Sequence, residues 1–193
     1  KRTWPIATDH DSLKRRWREL ADATGSKKRD LLRETGFRTI DTRAKPLPHM
    51  DPPDGPIGAA SGTKLVPPIE RIGFRSLDRH YVLADARLGD RMRPVLWHAH
   101  GPRQVYLSSL LSTVLGLGPA AMVTASIPDL HHFNGRGGKD IIPLWRNSDA
   151  TEPNVTKGLL KTLSMALGIS VSPEDLLAYC YALLRAYEFI DFQ

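Results

Sequence analysis

The chain has 193 residues, 41% hydrophobic and 25% charged, with a formal net charge of +6 and one cysteine. That size supports one well-buried domain, or a domain with an appended arm. A single cysteine excludes an internal disulfide and any multi-cysteine zinc site, and no window is long and apolar enough to span a bilayer.

Residues 1–9 read as an extended lead-in. They include no initiator Met, and Lys-Arg-Thr-Trp-Pro is followed by no apolar core, so a signal peptide is not expected. The chain therefore reads as a piece of something longer, or a processed product, resident in the cytoplasm. Leu13, Trp17, Leu20, Leu31 and Leu32 predict helix over Asp11–Glu34, with a break at Thr24-Gly25-Ser26. Lys14, Arg15, Arg16 and Arg18 surround Trp17. Trp17 is expected to pack inward, while the arginines suit either solvent or DNA. Residues 1–50 hold 13 Lys and Arg against 7 Asp and Glu, which is the whole positive surplus. A basic balance favours polyanionic partners.

Seven prolines between residues 44 and 68 argue against regular structure there. Short apolar runs follow, punctuated by turns: Tyr81-Val82-Leu83, Val95-Leu96-Trp97, Val105-Tyr106-Leu107, Ala120–Ser126 and Ile141–Trp145. Runs of this kind predict strands; Leu110–Leu117 fits strand or helix. Leu159, Leu160, Leu163 and Leu167 share a helical face that Gly168 can cap. Ser172-Pro173-Glu174-Asp175 is a helix start, with Ser at the N-cap, Pro at N1 and acids in the first turn. Cys180 falls in the apolar pattern that follows and is expected to be buried. The expected fold is α+β. Residues 1–43 form a basic helical arm, 44–68 a Pro/Gly-rich linker or irregular loop, and 69–193 a mixed β body with a C-terminal helical pair.

The chemistry concentrates in Ile127–Arg146. Two histidines, His131 and His132, follow a Pro-Asp turn and lead into Asn134 and the loop Gly135-Arg136-Gly137-Gly138-Lys139. Exposed N–H groups beside Arg136 and Lys139 suit a phosphate or a nucleic-acid backbone. A hairpin tip that needs glycine for φ > 0 would carry the same sequence. Arg103-Gln104 pairs the two side-chain types that read guanine and adenine bidentately. In Phe74-Arg75-Ser76-Leu77-Asp78-Arg79, Asp78 is expected to be structural, held by Arg75 or Arg79.

Other chemistry is missing. There is no GxxxxGK[ST], no GxGxxG after a strand, no GxSxG and no HExxH. His98 and His100, read as lying on one side of a strand, could join Asp129, His131 and Asp140 around a metal and make a metal-dependent hydrolase. Their spacing matches no hydrolase signature, so no metal and no catalytic residue is expected. A purely structural coupling module is a further alternative.

Taken in order, several blocks resemble a known family. Ile72-Gly73-Phe74-Arg75-Ser76-Leu77-Asp78-Arg79 is similar to a signature that follows the catalytic domain of many adenine-N6 DNA methyltransferases. Leu77 stands where that signature usually has Phe, and Phe74 where it usually has Tyr. Arg93-Pro94, Leu96-Trp97, Arg103–Leu107, Ile127–Phe133, Ile142–Trp145 and Ala178–Ala182 follow in the family's order. Over residues 1–187 the chain resembles the C-terminal specificity domain of type ISP single-polypeptide restriction–modification enzymes. The tail 188–193 does not look like the family's ending. The resemblance implies recognition of duplex DNA on behalf of an upstream methyltransferase domain of the same polypeptide. It implies S-adenosylmethionine, ATP and Mg for the parent enzyme, with no cofactor in this part. Arg75, Arg79, Arg103, Gln104, His131, His132, Asn134, Arg136 and Lys139 are then the candidate DNA contacts. Arg136 and Lys139 would hold phosphates; Arg103, Gln104, His131, His132 and Asn134 would reach base edges.

Overall fold

The computed structural model describes residues 3–43, 46–48, 55–57, 66–109, 121–133 and 140–186. The chain divides into two compact units, Lys1–Ile72 with Arg79–His98, and Gly73–Asp78 with Ala99–Gln193. The class is α+β, as expected.

In the first unit, helix α1 (His10–Asp22) starts where Asp9, in extended backbone, accepts a hydrogen bond from Ser12 N at 2.7 Å. That bond holds the Asp9 carboxyl below its ordinary pKa. Leu13, Trp17, Leu20 and Ala21 form the buried face. Helix α2 (Gly25–Leu32) follows the expected break and ends on Arg33 in the left-handed region, φ 53°. The lead-in holds a two-residue strand, β1 (Ile6–Ala7). It pairs antiparallel with β3 (Asp78–Leu83), Ile6 facing Val82. Arg16 fixes this lead-in by donating to the carbonyls of Trp4 and Ile6, each at 2.8 Å. That assigns one of the open arginines to structure. Strand β2 (Ile69–Arg75) lies beside β3.

The core of this unit joins Trp4, Leu13, Trp17, Leu20 and Leu32 to Ile57, Leu83 and Leu88. Residues of the expected arm thus share one core with residues of the expected body. Arg87 forks onto Asp85, with Nη2 to Oδ2 at 2.6 Å, and its Nη1 donates to Gly55 O at 2.9 Å. The described piece of the proline-rich crossing is thereby tied to the exit of β3.

Val95-Leu96-Trp97 is not a strand. It belongs to a short helix, α3 (Pro94–His98). A three-residue apolar run has no period of its own, and Pro at the first helical position decides for helix. Trp97 Nε1 closes the turn by donating to Met92 O at 2.7 Å.

In the second unit, β4 (Tyr106–Ser109) is the centre of a three-stranded antiparallel sheet. It is flanked by β5 (Ala121–Thr124) and β7 (Asp140–Pro143), with Leu107 opposite Val123 and Ile142. Strand β6 (Ile127–Pro128) lies beside the Gly73–Arg75 end of β2, and Asp129 N donates to Gly73 O at 2.8 Å. The run Leu110–Leu117 lies outside the described residues. Leu144, Trp145 and Ala150 form a small core with Val105 and Leu177. Helix α4 (Leu159–Leu167) ends on Gly168 at φ 68°. Helix α5 (Pro173–Arg185) begins with a reciprocal Ser172–Asp175 capping box. Neither helix buries a residue, and Cys180 is exposed rather than buried. An amphipathic pattern states that a helix has an apolar face, not that this chain covers it.

Candidate nucleic-acid interface

The second unit brings the Phe74-Arg75-Ser76 block onto the Pro-Asp-Leu-His-His segment. Arg75 Nη1 donates to Asp129 Oδ2 at 3.0 Å and to Phe74 O at 2.6 Å. Its guanidinium lies 4.0 Å over the Phe74 ring. The pair is asymmetric: the Arg75 side chain is 41% exposed, that of Asp129 only 9%. The arginine therefore still offers charge to solvent while the carboxylate is spent inside. Asp129 also accepts from His131 N at 3.2 Å, and its carbonyl accepts from His132 N at 3.0 Å. The four residues Asp129–His132 make a closed turn.

His132 anchors that turn from below. It is 1% exposed, with Nδ1 3.2 Å from Ser108 Oγ on β4, and its carbonyl accepts from Ser76 Oγ at 2.9 Å. The ring packs so tightly on β2 that a Cβ at Gly73 would sit 2.9 Å from His132 Cδ2. Gly73 is required here by close approach, not by its φ. The turn leads through the buried Phe133 toward Asn134, Arg136 and Lys139, which lie outside the described residues; β7 begins at Asp140.

The remaining candidates are placed elsewhere. Arg79 lies on β3 in the first unit. Arg103 is 63% exposed, paired with Glu174 at 2.7 Å and 5.1 Å from the centre of the Trp145 ring. Gln104 is 2% exposed. Its Nε2 donates to Ala99 O at 2.5 Å and Trp145 O at 2.8 Å. Its Oε1 accepts from Val105 N at 3.1 Å and Trp145 N at 3.0 Å. All four hydrogen-bonding positions of the amide are filled, so Gln104 has none left for a base. Asp78 is exposed, and the carboxylate that holds Arg75 is Asp129. Sequence reasoning missed that pairing because it joins residues 54 positions apart.

The metal alternative loses its geometry. His98 ends a helix, so it does not share one side of a strand with His100. Among the described residues no group of three or more His, Cys, Asp and Glu could hold a metal ion. His100 instead sits with Nδ1 3.1 Å from the Tyr106 hydroxyl. Burial lowers the His100 pKa from 6.5 and raises that of Tyr106.

Above 6.5 His100 is neutral folded or unfolded, so it adds no pH dependence. Below 6.5 the unfolded chain takes the proton more readily, and stability falls as pH drops toward the folded value. Thermal melts between about pH 7 and pH 5 should show this loss, and a His100→Asn chain should lose less than wild type. Equal losses in the two chains would mean that His100 is not the group responsible.

A family model described as the type ISP C-terminal specificity domain matches residues 1–191. The chain belongs to that family. No match was found among curated proteins or solved structures. A specificity domain of this kind recognises the DNA target in a restriction–modification system. In this one, the ordered turn Asp129–His132 lies in the segment with the most candidate contacts, and Arg75 reaches it from β2. Among the described residues no helix is long and apolar enough to cross a membrane.

Proposed function

We propose that this specificity domain binds duplex DNA and positions an adenine for an N6-methyltransferase domain upstream in the same polypeptide. S-adenosylmethionine, ATP and Mg would serve other domains of that parent enzyme, and this chain would supply no catalytic residue. The observation that carries the reading is the Arg75–Asp129–His132 lock. It sets the direction in which the chain enters the Asn134–Lys139 segment, and a fixed entry is what a reading loop needs. In this reading Arg136 and Lys139 contact phosphates, and Arg75 adds a partly exposed charge. Arg103, His131 and Asn134 reach toward base edges. The filled amide of Gln104 and the burial of His132 favour framework roles for these two. Arg79 remains a phosphate candidate.

The test is the salt dependence of duplex binding by the chain. Each phosphate contact contributes about −0.9 to the slope of log K against log salt. Arg136→Ala and Lys139→Ala should each flatten the slope by about that amount and weaken all duplexes alike. Asn134→Ala should instead penalise the cognate site selectively. An affinity that hardly changes with salt would refute the electrostatic account, and altered sequence preference in Arg136→Ala would overturn the division of roles.

A further inference from the structure

The first unit carries an aromatic side chain that its core does not use. Thr35 N donates to Arg38 O at 2.8 Å and Arg38 N to Thr35 O at 3.4 Å. The two bonds close a turn with Gly36 and Phe37 at its tip. Phe37 is 60% exposed. Its position is nonetheless fixed. Phe37 N donates to Thr35 Oγ1 at 3.2 Å, and that hydroxyl donates to Asp90 Oδ1 at 2.8 Å. Beneath the tip, Arg38 is wholly buried and donates to the carbonyls of Leu88, Leu32 and Arg33 at 3.0–3.3 Å. An exposed phenyl ring on a pinned turn gains nothing from burial.

The surroundings of the ring are cationic. The Arg91 guanidinium lies 4.5 Å from the ring centroid and covers one face. Arg91 holds a left-handed backbone, φ 54°, although it ends no helix. An arginine in that conformation is strained, and such outliers gather at functional positions. Asp90 is engaged with Arg38 and Thr35, and Glu34 and Asp41 share Arg29. Arg33 and Arg91, by contrast, have no acidic partner among the described residues. A flat apolar face with an arginine against its other side matches a nucleobase with its adjoining phosphate.

We propose that Phe37 is a stacking finger, whose open face takes an unstacked base of bound DNA while Arg91 receives the neighbouring phosphate. This rests on the reading of the chain as a DNA-binding domain. The test compares the full chain with its Phe37→Ala, Phe37→Trp and Arg91→Ala variants on a matched duplex and on the same duplex with one mismatched pair. A mismatched base costs less to unstack, so wild type should prefer the mismatched duplex. Phe37→Ala should abolish that preference and weaken mismatched binding about fivefold or more, while Phe37→Trp should retain it. Arg91→Ala should flatten the salt slope by about 0.9. Melting temperatures should stay unchanged in Phe37→Ala, because the ring is exposed. If wild type binds DNA with salt dependence and Phe37→Ala keeps its mismatch preference, the finger is refuted and the DNA reading stands. If wild type shows no salt-dependent binding, both fall. If Phe37→Ala binds both duplexes like wild type but no longer associates with the parent enzyme's remaining domains, the ring is a protein contact instead.

Discussion

Replacing Arg38 with methionine is expected to destabilise the first unit by about 3–5 kcal/mol, the usual cost of removing one member of a buried ion pair. Arg38 has no exposed surface, and Asp90 beside it is 8% exposed with a separation of 3.9 Å. Methionine fills much of the volume but leaves the carboxylate of Asp90 uncompensated. It also leaves the carbonyls of Leu32, Arg33 and Leu88 without this donor. Burial pushes the guanidinium pKa down and Asp90 pushes it back up, so the positive charge is held in place by its partners. Urea titration followed by circular dichroism reads the loss. Adding Asp90→Leu should recover part of it, since removing both charges abolishes the unpaired one. A loss below about 1 kcal/mol would show that Asp90 finds water or another partner, and that the turn carrying Phe37 is not held from beneath.

Gln104→Leu is expected to cost about 3 kcal/mol or more, with no change in DNA sequence preference. The amide bridges Ala99 to Trp145 and caps Val105. Leucine has similar bulk but strands the Trp145 and Val105 N–H groups and two carbonyls. Each buried unsatisfied group costs about 1–3 kcal/mol, and the terms do not simply add. Denaturant unfolding measures the stability. Competition between cognate and scrambled duplexes, at a temperature where the variant stays folded, measures the preference. A Gln104→Leu chain that melts like wild type but loses discrimination would return Gln104 to the base-reading set.

The contrast between these residues shows what a sequence discloses. Features governed by a few adjacent residues were legible: the break between α1 and α2, the Ser172 N-cap, the Gly168 stop and the inward Trp17. Their physics is local. Glutamine looks the same in a sequence whether its amide faces a base or two carbonyls, so the burial of Gln104 was not legible. The pairing of Arg75 with Asp129 was not legible for a related reason. Nearness along the chain suggested the partner, but the approach of β6 to β2 selected it. Val95–Trp97 was too short for its period to discriminate helix from strand. The amphipathic pattern of α5 suggests a buried Cys180, but the half-buried side of the helix carries Leu177 and Cys180 lies exposed. The type ISP blocks carried the function in their order, which no single residue could have supplied.

The interleaving of the two units limits how this domain can be exchanged. The chain passes between them at 72/73, 78/79 and 98/99, and the core around Trp17 needs Leu83 and Leu88 from beyond the second crossing. A chimera joined at residue 69 would separate α1 and α2 from the strand and loop that complete their packing. Recombination that transfers DNA specificity between related enzymes must therefore exchange the whole chain, because a block of residues 1–98 would take Arg75 and Ser76 away from Asp129 and His132. Because it needs Leu83 and Leu88, the first core cannot close during synthesis until β3 and Leu88 have left the ribosome.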